Sequence, residues 1–193
     1  MIKLSILVCT LPNLYRDYHF SVGILDKLTN QSHKKPVQVL YLGDNKSMSV
    51  GEKRNKLLEI ADGERICFVD DDDEVSDDYV DTLLEYCELD KDVVTIGVKY
   101  TQGGINAKKY DYTFKKIINT RINTIPVAGR VPDHLCLWRR STAMRIPFPK
   151  ANLGEDHRWA DAQMRAGYDI EHRFEKIIYF YRFDYNITQT RQR

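Results

Sequence analysis

The chain opens with apolar, mostly β-branched runs that each stop in a polar turn. Lys3–Thr10 reads as a buried strand and ends at Thr10-Leu11-Pro12-Asn13, where proline breaks the pattern. Residues 17 to 30 have helical spacing, with Phe20, Ile24, Leu25 and Leu28 on one side. Pro36 closes that connection, and Val37–Leu42 predicts a second strand ending in Gly43-Asp44-Asn45-Lys46. Ser49-Val50-Gly51-Glu52 opens a second helix whose expected apolar face carries Leu57, Leu58 and Ile60, with Ala61-Asp62-Gly63 as its expected C-cap. Ile66-Cys67-Phe68-Val69 is a third strand.

The third strand runs straight into Asp70-Asp71-Asp72-Asp73-Glu74. A buried strand cannot carry charge along its length, so these carboxylates belong where it emerges. In open α/β sheets the C-terminal edge of the strands is where ligands bind. Adjacent like charges repel unless a cation neutralises them, and clustered hard oxygens suit Mg²⁺, Mn²⁺ or Ca²⁺. The competing readings are a solvated acidic turn and an EF-hand loop. The EF-hand needs glycine at its sixth position, which counted from Asp70 is Val75, and a helix rather than a strand before it.

Beyond the cluster the pattern predicts an acidic helix near 77 to 88 and a strand over Asp92–Tyr100. A hairpin or arm follows over 103 to 118, and then an alternating strand, His134–Arg139. Phe148–Trp159 leads into a helix ending near Gly167, Ile177–Arg182 is a late strand, and 184 to 193 is a polar tail. Strand, helix, strand, helix, strand is the rhythm of a doubly wound α/β fold with a mostly parallel central sheet flanked by helices. It brings three strand tips to one edge: Thr10 to Asn13, Asp44, and Asp70 to Asp73. With that convergence, the metal reading of the carboxylates outweighs the surface turn.

Charge adds a division within one domain. The 193 residues carry a net charge of only +1, which argues against a general polyanion binder. Yet residues 70 to 92 hold twelve acids against the single base Lys91, while 93 to 150 hold eleven Lys or Arg against Asp111 and Asp133. One acidic site and one basic surface are expected, the alternative being a solvated face with scattered lysines. Cys9, Cys67, Cys87 and Cys136 have no paired spacing, so nothing suggests a disulfide framework and a reducing cytoplasm is the expected location. No stretch approaches the ~20 apolar residues of a membrane span.

These features together resemble the GT-A glycosyltransferases of family 2. The resemblance rests on Thr10-Leu11-Pro12, on Asp44, and on Gly51-Glu52-Lys53-Arg54-Asn55 before Ala61-Asp62-Gly63. It rests above all on Phe68-Val69-Asp70-Asp71-Asp72-Asp73 followed far downstream by Gly154-Glu155-Asp156, and it covers roughly residues 3 to 182. It implies a single-domain GT-A fold, with a nucleotide-sugar and metal half over about 1–98 and an acceptor and base half over about 99–193. It further implies an inverting, metal-dependent transfer from a nucleotide sugar, a UDP-sugar by preference and a hexose by class, to an acceptor hydroxyl. Thr10 and Pro12 would lie against the nucleotide, Asp44 would accept from the base, and Arg54 would lie near the diphosphate, with Asp70 and Asp71 on the donor side. Asp72, with Asp70 or Asp73, would hold Mn²⁺ or Mg²⁺, and Asp156 would be the general base. Without the upstream motif, Glu155-Asp156 would read as ordinary acidic stabilisation of a helix start.

No membrane helix follows, so the expectation is one sugar moved to one acceptor rather than processive synthesis. The acceptor is open between a glycan and DNA of a phage type, because Lys and Arg among Tyr100, Tyr110, Tyr112 and Trp138 suit phosphate and base contact. Two rivals share the fold. A nucleotidyltransferase would carry a glycine-rich loop after the first strand, and residues 10 to 16 contain no glycine. A catalytically inactive nucleotide-binding protein would be expected to have lost the metal carboxylates or the base, and this chain has both. Trp138 and Trp159 could stack on a sugar or fill the core, and His157 and His172 match no ligand motif.

Overall fold

The computed structural model describes residues 1–10, 22–102, 105–110 and 131–183. Leu11 to Asn13, the start of the first predicted helix with Phe20, most of the arm, and the polar tail lie outside the described residues.

The order is β1 (Leu4–Thr10), α1 (Val22–Ser32), β2 (Val37–Gly43), α2 (Val50–Ile60), β3 (Arg65–Asp70), β4 (Glu74–Val75), α3 (Tyr79–Cys87), β5 (Val93–Gln102) and β6 (Ile105–Tyr110). Then come β7 (Leu137–Arg139), α4 (Arg140–Ala143), α5 (Glu155–Ala166) and β8 (Ile170–Phe183). One sheet runs β2-β1-β3-β7-β5-β8-β4, with β6 added beside β5. β1 is parallel to both β2 and β3, and β5 is parallel to β8. β7 is antiparallel to β3 and to β5, so β5 and β8 point the same way as β1 and β3.

Alternation along the strands fills two cores. Leu4, Ile6 and Val8 face one side with Cys67 and Val69, where Ile24 and Leu28 of α1 and Tyr79, Val80 and Leu83 of α3 cover them. Leu7, Ile66 and Phe68 face the other side, under Leu57 and Leu58 of α2 and Trp159 and Ala160 of α5. Each fully buried aliphatic side chain stabilises the fold by about 1.5–3 kcal/mol relative to exposure. Both tryptophans belong to this second core, packed edge to face at 4.8 Å.

Two local expectations are corrected. Ile60 is 59% exposed, because it stands two residues beyond Leu58 and so on the far side of the helix; Ala61, four residues after Leu57, takes the buried place. Gly63 does not cap α2, whose C-cap is Ala61 in an extended conformation. Gly63 instead lies against β1: its N–H donates to Ser5 Oγ at 2.9 Å, and a Cβ there would sit 2.4 Å from Ser5 N. β8 is also longer than Ile177–Arg182, and only Leu137–Arg139 of the predicted His134 strand is extended in the sheet.

Register places the three tips side by side. Thr10 pairs with Gly43 across β1 and β2, and Cys9 pairs with Asp70 across β1 and β3. The C-terminal end of β8 reaches the same edge, where β4 pairs Glu74 with Phe180 and Val75 with Tyr179. Among the described residues no helix is long and apolar enough to cross a membrane, and all four cysteines are free thiols.

Candidate active site

The strand β3 closes in a tight turn in which the Asp73 N–H donates to the Asp70 carbonyl at 3.2 Å. The four carboxylates diverge as a result. Asp71 and Asp73 are buried, whereas Asp70 keeps 27% of its side chain exposed and Asp72 is half-buried. Asp73 points inward: Oδ2 accepts from the Tyr179 hydroxyl at 2.6 Å and Oδ1 from the Arg182 N–H at 2.7 Å. Burial, reinforced by the charges of Asp70 and Asp72, pushes its carboxyl well above the usual range, against those two hydrogen bonds. Tyr179 Oη also accepts from the Asp70 N–H at 3.1 Å, so β8 holds both ends of the turn.

α2 supplies the cation. Its start is fixed by a capping box between Ser49 and Glu52. A Cβ on Gly51 would lie 1.9 Å from the Pro149 carbonyl oxygen, so only glycine lets the segment after Phe148 pass this close. Asn55 clamps that segment from both sides, donating to the Phe148 carbonyl at 2.9 Å and accepting from its N–H at 2.8 Å. The ring of Phe148 is thereby held 5.6 Å from the Arg54 guanidinium, with Phe68 5.2 Å away. Arg54 Nη2 meets Asp70 Oδ1 at 3.2 Å, and Nε lies 3.5 Å from Glu155 Oε1. Burial opposes its charge, but Asp70, Glu155 and Asp156 more than offset this and raise its pKa. Nε and Nη1 are buried without a hydrogen-bond partner.

Lys53, also fully buried, ties the other two tips together. Its ammonium donates to the Thr10 carbonyl at 2.9 Å and stands 2.9 Å from Asp44 Oδ1. Asp44 Oδ2 accepts from the Met48 N–H at 2.6 Å and the Ser47 hydroxyl at 3.0 Å. Desolvation works against ionisation of Asp44, but Lys53 and these donors hold its carboxyl at about 2. Thr10 and Asp44 therefore stand where expected, at adjacent strand ends, and Asp44 faces inward onto Lys53; Pro12 lies outside the described residues.

Asp156 comes from the first turn of α5, which begins at Gly154 with φ 68°. Acids at a helix N-terminus are favoured by the unpaired N–H groups there. Glu155 is buried against Arg54, and burial raises its pKa. Asp156 is 21% exposed; desolvation opposes its charge, yet His134, His157 and Arg54 lower its pKa. His134 lies between Asp70 and Asp156, with Nε2 3.3 Å from Asp70 Oδ2 and Nδ1 3.9 Å from Asp156 Oδ2. The pattern around His134 is strand-like, and no spacing in the sequence singles it out.

Among the described residues no three His, Cys, Asp or Glu side chains could hold a metal ion. Mg²⁺-type ions bind through one or two carboxylates plus substrate phosphates, and the accessible Asp70 and Asp72 suit that mode. Of the basic segment, the described Arg139 pairs with Asp90, Arg140 reaches the Leu58 carbonyl, and Arg145 reaches the Gly167 carbonyl.

Comparison with known proteins agrees with this architecture. Comparison with curated proteins gives no match. The fold is similar to S. aureus TarS 1-349 in complex with UDP, with a TM-score of 0.67 and 19% identity over 93% of this chain and 60% of that one. The same S. aureus protein in complex with UDP-GlcNAc gives a TM-score of 0.65 at 19% identity, over 93% and 58% of the two chains. This chain thus spans about 60% of the TarS fragment's length. At that identity the likeness is one of fold, a GT-A α/β domain. The sequence profile of glycosyl transferase family 2 matches residues 20–145, so the chain belongs to that family.

Proposed function

We propose that this domain transfers one sugar from a UDP-sugar to an acceptor hydroxyl with inversion at the anomeric carbon. The observation that carries the reading is Arg54, a buried guanidinium beside the rings of Phe68 and Phe148, with Nη1 free of any hydrogen bond and Nη2 on Asp70 at the sheet edge. A buried cation with unused donors suits a diphosphate. The TarS complexes with UDP and UDP-GlcNAc support the choice of nucleotide.

Asp72 and Asp70 would hold Mn²⁺ or Mg²⁺, which supplies Lewis-acid stabilisation of charge on the departing diphosphate. Asp73, engaged by Tyr179 and Arg182, acts as a support for the turn. Asp156, lying across His134 from Asp70, takes the acceptor hydroxyl proton. As the acceptor oxygen bonds to the anomeric carbon, the bond to the diphosphate oxygen breaks and its electron pair leaves with UDP. Attack opposite the leaving group is what inverts the centre.

The test is a thermal-shift series with UDP and UDP-sugars, with and without Mn²⁺, since a ligand that binds only the folded state raises Tm. The expected result is a metal-dependent shift that Asp72→Asn abolishes and Asp156→Asn retains. The absence of any shift in the wild-type protein overturns the donor assignment.

A further inference from the structure

We propose that His134 is a positioning residue that holds the donor and acceptor sides of this site in register; the inference rests on the reading of Asp70 and Asp156 given above. Its ring is 5% exposed and faces a carboxylate from each half: Nε2 is 3.3 Å from Asp70 Oδ2, and Nδ1 is 3.9 Å from Asp156 Oδ2. Asp70 is thereby gripped on both oxygens, Oδ1 by Arg54 and Oδ2 by His134. Nδ1 is buried and makes no hydrogen bond, so it is aimed at the acceptor side with no structural bond to account for it.

The ring is fixed by its own segment. The Leu135 N–H donates to Asp133 Oδ1 at 3.0 Å, while the Asp133 carbonyl accepts from the Cys136 N–H at 3.2 Å and the Trp138 indole at 2.8 Å. The His134 carbonyl accepts from the Phe68 N–H at 3.0 Å, locking it to β3 two residues before Asp70. Its ring also meets Phe68 edge to face, and Phe68 in turn lies against Arg54. One buried imidazole therefore orients the carboxylate beside the diphosphate and stands between it and the proposed base. Partners that orient ligating or reacting carboxylates typically change affinity or activity about 10- to 100-fold when removed.

The experiment compares His134→Leu, which keeps apolar bulk, with His134→Gln, whose amide can donate to Asp70 from the place of Nε2. Calorimetry reads UDP binding with Mn²⁺, steady-state release of UDP from UDP-GlcNAc reads kcat and KM, and thermal melts monitor folding. The expected result is that His134→Leu melts within a few degrees of wild type, yet binds UDP with Mn²⁺ more weakly and loses kcat about 10- to 100-fold. His134→Gln is expected to recover the binding while kcat stays depressed, because no group then faces Asp156. Equal behaviour of Leu and Gln, or unchanged kcat in both, overturns the inference while leaving the donor reading intact. A Leu variant that does not fold shifts the comparison to Gln against wild type, where equal kcat overturns it. Wild-type protein that binds no UDP in any metal overturns the donor reading and this inference with it.

Discussion

The hydroxyl of Tyr179 donates to Asp73 Oδ2 at 2.6 Å while accepting the Asp70 N–H at 3.1 Å. A residue on the last strand, more than a hundred positions away, thus holds the turn that carries the acidic motif. The third carboxylate of the run after Asp70 serves to anchor that turn, while Asp70 meets Arg54 and His134 and Asp72 keeps part of its surface exposed.

Tyr179→Phe should therefore do more than remove one hydrogen bond. It strips the donor from a buried carboxylate and the acceptor from a buried N–H, at a cost of about 1–3 kcal/mol. Urea unfolding of the two proteins checks the stability, and UDP titration should show weaker binding as the turn loosens. Unchanged values in both would assign the anchoring to the Arg182 N–H alone.

The Lys53–Asp44 pair gives an acid-dependent stability. Asp44 falls from an ordinary 3.8 to about 2 in the folded chain, so its contribution is present above pH 3.8. As pH drops from 3.8 toward 2, the folded state must bind a proton it resists, and the contribution is lost. Melting curves from pH 5 to 2 should fall more steeply for the wild type than for Asp44→Asn. Lys53→Met leaves a buried carboxylate without its cation and is expected to cost about 3–5 kcal/mol at neutral pH.

Arg54→Lys separates shape from charge. Lysine keeps the cation but lacks the planar fork that lies near the rings of Phe68 and Phe148. Losing one charge-assisted hydrogen bond of about 1.5–3 kcal/mol should weaken UDP binding about 10- to 100-fold. Calorimetry with UDP and Mn²⁺ measures it; full affinity in the lysine variant would remove Arg54 from the diphosphate.

Period and punctuation made the fold readable. Strands that alternate onto two cores and end in turns can be placed from local sequence, and three parallel tips then share an edge. Ile60 and Gly63 went wrong for different reasons: the first sits past the helical stripe, and the second answers to β1, a neighbour that no local pattern reveals. The site was half legible. A run of aspartates announces itself, and Glu155-Asp156 at a helix start follows from spacing. Which aspartate faces inward depends on Tyr179, and the link between Asp70 and Asp156 depends on His134. Both rest on contacts with partners more than sixty residues away, Tyr179 with Asp73 and His134 with Asp70, carried by single side chains with no motif of their own.

The pH profile of turnover offers the sharpest check on Asp156. Desolvation would raise its pKa, but His134, His157 and Arg54 prevail and hold it below its ordinary 3.8. A base acts in its ionised form, so turnover loses this group only as pH falls below about 3.8. Between pH 5 and 8 kcat/KM should carry no acid limb from Asp156, and any fall there should persist unchanged in its conservative Glu variant. Asp156→Asn should lower kcat about 10²- to 10⁴-fold across that whole range while UDP binding stays near wild type. An acid limb centred above pH 5 that disappears only in Asp156→Asn would mean that the carboxylate is poised far higher than its surroundings imply. The base would then be working in an environment that bound substrate creates, and the electrostatics of the free site would not govern its proton.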